Sequence, residues 1–199
     1  MAETKSPRKL TREHILPISD YGNIRRERRR AASELKKRRR VEVGPFATFY
    51  FENYATMWQQ VHEMLYVEKG GEDQIADELA AYNPMIPQGG ELIATVMLEI
   101  DDPVRRATML ALLGGIEEHV FLEIDGECIA GKPDPDRENT SSDGKASSVQ
   151  FIWFPFATAQ IAKFKQPGTR IVVGFDHPNY AHMAVMPETV RAALSEDFD

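Results

Sequence analysis

At 199 residues the chain is long enough for one well-cored domain with an attached helical arm, and 42% hydrophobic with 9% aromatic residues is ordinary for a globular protein. The longest nearly apolar run, Ala107 to Ile116, falls far short of the roughly 20 residues that span a bilayer, so no membrane span is expected. With no apolar signal core in MAETKSPRKL, and a single cysteine, Cys128, that cannot close an internal disulfide, a cytoplasmic location is expected. The net charge of −7 is unevenly divided: residues 1–40 hold 14 Lys+Arg against 5 Asp+Glu, or +9, and the remainder 10 against 26, or −16. An acidic body carrying a basic arm bears on partners rather than on fold.

In chain order, Leu10 to Arg40 reads as helical, with Thr11 capping a first turn and Pro17 and Gly22 breaking the segment into two pieces. VEVGPFATFYF, Val41 to Phe51, is β-branched and aromatic and reads as extended. Asn53 caps a helix that stops at Gly70-Gly71, and a second helix runs from Glu72 to about Tyr82 before the loop NPMIPQGG. ELIATVMLEI, Glu91 to Ile100, is apolar on both faces and reads as a central strand. Asp102-Pro103 starts a helix ending at Gly114-Gly115, and Val120, Leu122 and Ile124 form a half-buried strand that turns at Asp125-Gly126.

Gly131 to Ser148 holds one apolar side chain, Ala146, and reads as a mobile loop over residues 131–148. A strand (Val149 to Phe156), a helix (Thr158 to Lys165), a strand (Arg170 to Asp176) and a short helix from Pro187 complete the chain. Helices and antiparallel-capable strands mix without βαβ alternation. The expected fold is α+β, a mainly antiparallel sheet packed with helices: a basic helical arm over 1–40, then one domain over 41–199.

Familiar signatures are missing. The chain has no P-loop, no GxGxxG after a strand, no GxSxG, HExxH or CxxC, and no Glu-x-x-His pair of the di-iron bundles. Whether it is an enzyme is left open.

Three groups of residues are candidates for chemistry. The first is FDHPNYAHM, where Asp176, His177 and His182 gather around a Pro-Asn turn and could meet carboxylates from elsewhere, a donor set suited to iron, zinc or manganese. On the helix from Glu52, Tyr54, Met57, Trp58, Val61, Met64 and Leu65 share one side at about 100° per residue, and Glu68 intrudes on it. Glu99 shares a strand face with Ile93, Thr95 and Met97. Glu52 and Glu63 lie on the other side of that helix, and at least two of Glu52, Glu63, Glu68 and Glu99 are expected to converge with His177 in one pocket. The bland alternatives are a frayed helix end for Glu68, a strand already ended at Glu99, and a core-edge histidine at His177.

The second group is the helix NIRRERRRAASELKKRRR, with ten basic and two acidic residues. Ile24, Ala31 and Leu35 make a narrow apolar stripe, and Arg25, Arg29, Lys36 and Arg40 lie close together on another side. Such a helix can hold an acidic protein partner or RNA, or strap across the acidic body of its own or a second subunit. No aromatic residue lies within it to stack bases. The third group, Asn53, Tyr82, Asn83 and Tyr180, reads as polar residues of a pocket loop.

The strings LPISDY, IRRERRR, RRVEVGP, FYFENYATMWQQVHEML, ELAAYNPMIP, ELIATVMLEI, GGIEEHVFL and DHPNYAHM, in this order, resemble an uncharacterised bacterial family catalogued as a domain of unknown function. Glu52, Asn53, Gln60, Glu63, Tyr82, Asn83, Pro84, Glu99, His177, Pro178 and Tyr180 match its most typical strings; His62 and His182 match less firmly. The family carries no assigned reaction. Its genes often lie beside those of rubrerythrin-like proteins and of iron–sulphur proteins similar to heterodisulfide reductase subunits. The resemblance thus implies an accessory role in redox or iron-linked stress physiology, with those proteins as candidate partners. A non-enzymatic binding module built on the Arg-rich helix and a structural homo-oligomer subunit are the alternatives.

Overall fold

Leu92, Ala94, Val96 and Leu98 alternate along one face of the strand Glu91–Leu98 and are all buried, while Ile93 is buried on the other face. A strand apolar on both sides needs a layer against each, and the fold is built around that demand. The structure is a computed structural model and describes residues 7–198.

The strands are β1 (Arg40–Val43), β2 (Ala47–Phe51), β3 (Glu91–Leu98), β4 (Val120–Ile124), β5 (Glu127–Ala130), β6 (Lys132–Pro133), β7 (Val149–Pro155), β8 (Ile171–His177) and β9 (Tyr180–Val185). The helices are α1 (Ile18–Lys37), α2 (Tyr54–Glu68), α3 (Glu72–Tyr82), α4 (Pro103–Leu112), α5 (Thr158–Lys165) and α6 (Glu188–Ser195). Every strand pairing is antiparallel, in a five-stranded sheet ordered β1-β2-β3-β7-β6 and a four-stranded sheet ordered β5-β4-β8-β9. The protein is an α+β fold, with two sheets where the sequence suggested one. No helix among the described residues is long and apolar enough to cross a membrane.

The main core lies between the sheets, where Phe49, Phe51, Leu92, Val96, Ile152 and Phe154 of one meet Leu122, Ile124, Ile171, Val173 and Phe175 of the other. Phe164 of α5, Val190 and Leu194 of α6, and Phe198 join the same core. A second core covers the opposite face of the five-stranded sheet: Ile93, Phe151 and Trp153 pack with Met57, Val61 and Leu65 of α2, Ile75 of α3, and Leu10 and Ile15.

Local signals place most of these elements. Asn53 Oδ1 accepts from Thr56 N at 3.0 Å and starts α2, and Asp102 Oδ1 accepts from Arg105 N at 2.7 Å and starts α4. The β4–β5 hairpin turns on Asp125 and Gly126, both at positive φ.

Other elements differ from the sequence reading. Pro17 precedes α1 as expected, but the helix continues through Gly22, because the absent side chain admits the Tyr66 ring of α2: a Cβ there would lie 3.2 Å from Tyr66 Cε2. At the far end α1 stops at Lys37, so Arg39 and Arg40 leave the helix, and Arg40 opens β1. Arg39 is only 3% exposed. Its Nε donates to Phe51 O at 3.0 Å, its Nη2 donates to Glu52 O at 3.1 Å, and it pairs with the carboxylate of Asp197. The loop over 131–148 includes β6 and a Thr140–Ala146 bridge; Ala146 is buried, and its N donates to Leu110 O at 2.9 Å.

Candidate binding surface

Helix α1 lies along α2 and is fastened at its N-terminal half. Tyr21 is buried and donates its hydroxyl to Glu63 Oε1 at 2.6 Å, while Gln59 Nε2 donates to the same hydroxyl at 2.6 Å. Arg25 completes the clamp, Nε to Glu63 Oε1 at 3.0 Å and Nη2 to Oε2 at 2.8 Å, with its guanidinium 4.5 Å from the centre of the Tyr66 ring. The Arg25 hydrogen bond is the main reason that the Glu63 carboxyl sits below the usual carboxylate range. Burial and the adjoining carboxylate push the Tyr21 phenol up.

Next to this clamp is an aromatic stack. The Trp58 ring lies 3.9 Å from that of His62, and Arg28 covers Trp58 at 5.1 Å. His62 is buried: its Nε2 accepts from Leu16 N at 3.0 Å, and its Nδ1 therefore carries the proton given to Trp58 O at 2.7 Å. Burial pushes this imidazole below its ordinary range, against the opposing hydrogen bond to Trp58, and Arg28 adds to the depression.

Beyond Arg25, the second half of α1 runs above two open grooves that share Ala32 and Gln59 as their common edge. One, of about 370 Å³, is lined by Ala31, Leu35, Tyr54, Ala55 and Trp58, with Arg28 at its margin. The other, of about 380 Å³, is cationic: Arg29, Lys36, Lys37 and Arg40 surround Tyr50. The acidic side chain in its lining among the described residues, Glu63, is already occupied by Arg25 and Tyr21. Lys37 pairs with Glu34 at 2.7 Å and Arg40 with Glu42 at 3.3 Å, both on the surface, where such pairs contribute only about 0–1 kcal/mol and exchange readily. Arg26, Arg29 and Arg30 make no hydrogen bond or ion pair with the described residues.

Of the four candidate cations, Arg29, Lys36 and Arg40 thus share one groove, while Arg25 is committed to Glu63. The apolar stripe divides too: Ala31 and Leu35 line the neighbouring groove instead of being buried against α2. Sequence reasoning named neither Lys37 nor the Tyr50 floor of the cationic groove. The signal lay in the strand alternation around Phe49, which puts Tyr50 on the helix-facing side of β2.

The residues expected to hold a metal go to separate places. Glu52 is 4% exposed and accepts from Thr95 Oγ1 at 2.7 Å, with Oε2 unpartnered among the described residues. Glu63 belongs to the clamp. Glu68 reaches past the end of α2 to accept from Gln74 Nε2 at 2.7 Å, and Glu99, just beyond β3, accepts from Thr48 Oγ1 at 2.7 Å and Tyr50 Oη at 3.3 Å.

FDHPNYAHM is the β8–β9 hairpin, with Pro178 and Asn179 as its turn and His177 paired across it with Tyr180. His177 is buried; its Nδ1 accepts from Asn179 N at 3.2 Å, and its Nε2 donates to Gly114 O at 3.3 Å. Asp176 is exposed and bonds His119 Nδ1 at 2.8 Å, and His182 packs on Tyr180. Among the described residues no three His, Cys, Asp or Glu side chains form a group placed to hold a metal ion.

The polar residues assigned to a pocket loop are also apart. Asn53 caps α2, and Tyr82 Oη accepts from Gln60 Nε2 at 3.4 Å. Asn83 exchanges two hydrogen bonds with the backbone of Leu10, at 2.7 and 3.0 Å. The buried Tyr180 hydroxyl donates to Val43 O at 2.7 Å and ties the two sheets together at β1 and β9.

The family model described as "Protein of unknown function (DUF3501)" matches residues 9–198. A crystal structure of a novel protein of unknown function from Burkholderia pseudomallei is similar at 38% identity and a TM-score of 0.89, over 96% of this chain and 100% of that one. No curated protein matches the chain.

Proposed function

Since the chain belongs to this family of unknown function, its role must be read from its own surfaces, and we propose a non-enzymatic binding module whose basic α1 holds an acidic protein partner. The observation that carries this reading is the gathering of Arg29, Lys36, Lys37 and Arg40 in one open groove whose lining carboxylate, Glu63, is already engaged by Arg25, while Glu34 and Glu42 pair only at the exposed surface with Lys37 and Arg40. Guanidinium and ammonium groups on a fixed helix meet carboxylates at low reorganisation cost. The clamp at Tyr21 and Arg25 holds the helix in place.

RNA suits the surface less well. Single-stranded nucleic acid is held by stacking on open aromatic faces, and here Trp58 lies between His62 and Arg28, Tyr66 beneath Arg25, and Tyr50 beneath Lys36 at 6.0 Å. Metal chemistry through His177 and the four glutamates is not proposed, since those side chains are bonded apart from one another.

The test is fluorescence anisotropy with a labelled oligo-glutamate peptide and a labelled single-stranded oligoribonucleotide of equal charge. The reading expects the peptide to bind and an Arg29→Glu/Lys36→Glu variant to weaken it by on the order of tenfold. Equal binding by the variant, or tighter binding of the oligoribonucleotide than of the peptide, overturns it.

A further inference from the structure

Resting on that reading, we infer that the partner's recognition element is an acidic amphipathic helix: its carboxylates sit over the cationic groove and its apolar side chains fill the adjoining one. The two grooves are not independent features. Both are bounded by α1 and α2, and both include Ala32 and Gln59, so one ligand seated across that edge reaches both.

Their chemistry differs sharply over that short distance. Arg29, Lys36, Lys37 and Arg40 lie on one side, and Ala31, Leu35, Tyr54 and Trp58 on the other. A uniformly acidic segment satisfies the first and leaves the second exposed to water. A helix with apolar and acidic residues on neighbouring faces satisfies both, the familiar arrangement of a helix laid in a groove. Ala31 and Ala55 carry the shortest side chains on either wall, and both are exposed, so a bulky side chain has room between them. Arg28 holds the margin of the apolar groove while covering Trp58, adding a cation where the two chemistries meet.

The experiment compares two labelled peptides on the full chain: a glutamate-rich helical peptide with leucines at alternating three- and four-residue spacing, and the same peptide with every leucine replaced by serine. The leucine peptide is expected to bind about tenfold tighter, the effect of burying one or two apolar side chains. An Ala31→Gln/Ala55→Gln variant fills the apolar groove with good helix formers. It should abolish that advantage while keeping the native affinity for the serine peptide. Equal binding of both peptides by the native protein, or an advantage that survives in the variant, overturns this inference and leaves the acidic-partner reading standing. If neither peptide binds, both fall. If the native chain self-associates and Arg29→Glu disperses it, the occupant is a second copy of the chain and the separate-partner assignment is wrong.

Discussion

The guanidinium of Arg25 meets the carboxylate of Glu63 side on, with Nε–Oε1 at 3.0 Å and Nη2–Oε2 at 2.8 Å, and the Tyr21 hydroxyl closes the same carboxylate at 2.6 Å. Glu63→Gln keeps the shape but loses the charge, and is expected to cost about 1–3 kcal/mol. For a chain of this size that is roughly 2–4 °C of melting temperature per kcal/mol. The effect also depends on pH. The folded-state pKa of Glu63 is depressed, so its contribution is complete above the ordinary value of 4.5 and is lost as pH falls through the lower folded value. Urea unfolding across that window should be steeper in pH for the native chain than for Glu63→Gln; identical slopes would contradict the clamp.

Arg39 pairs with Asp197 where both are nearly inaccessible, at 3% and 8% exposure. Burial pushes the Asp197 carboxyl up and Arg39 opposes it, so removing the arginine strands a buried acid. Arg39→Met is expected to cost about 3–5 kcal/mol. Adding Asp197→Leu should recover only part of that, because the carbonyls of Phe51 and Glu52 remain without their donor. Calorimetric melting of the two variants decides it; a single variant as stable as the native chain would refute the assignment.

His62 titrates against the fold. Its folded pKa lies below the ordinary 6.5, so the imidazole is neutral in both states above that value and costs nothing there. As pH falls from 6.5 through the depressed folded value, the unfolded state takes up a proton first and stability declines. His62→Gln is expected to be less stable at neutral pH, having lost a ring from the Trp58 stack, but its chemical-denaturation midpoint should fall less as pH is lowered below 6.5. A variant as pH-sensitive as the native chain would place the titration elsewhere.

Gly44 sits at φ +67° in the turn between β1 and β2, and a Cβ there would come within 2.7 Å of both the His182 ring and the Tyr180 hydroxyl. Gly44→Ala is expected to lose about 1–3 kcal/mol by combining backbone strain with that clash. Thermal melting checks it. An unchanged melting temperature would mean that the contact between β1 and β9 yields freely.

Much of the fold was legible because its signals are local. Asn53 and Asp102 announce their helices through cap chemistry, and the run from Glu91 to Ile100 announces a strand needed on both faces. What was missed depends on partners distant in sequence. Tyr180–Val185 forms a strand only because β8 pairs with it, and most of its residues stay exposed. The run of cations from Lys36 to Arg40 cannot reveal that Arg39 alone turns inward to meet Asp197, 158 positions away. Glu68 and Glu99 look alike as carboxylates on apolar faces, and Glu52 and Glu63 look alike on the opposite side of the helix pattern; only the glutamine, tyrosine, threonine and arginine that they meet distinguish them.

The most direct measurement maps where an acidic ligand lands. Backbone amide shifts of isotopically labelled protein, recorded while the oligo-glutamate peptide is titrated in at low and then raised salt, should move along Arg28 to Arg40 and Tyr54 to Glu63 and return towards their starting values as salt is added. Shifts concentrated on β8 and β9, spread evenly over the chain, or indifferent to salt would contradict the account.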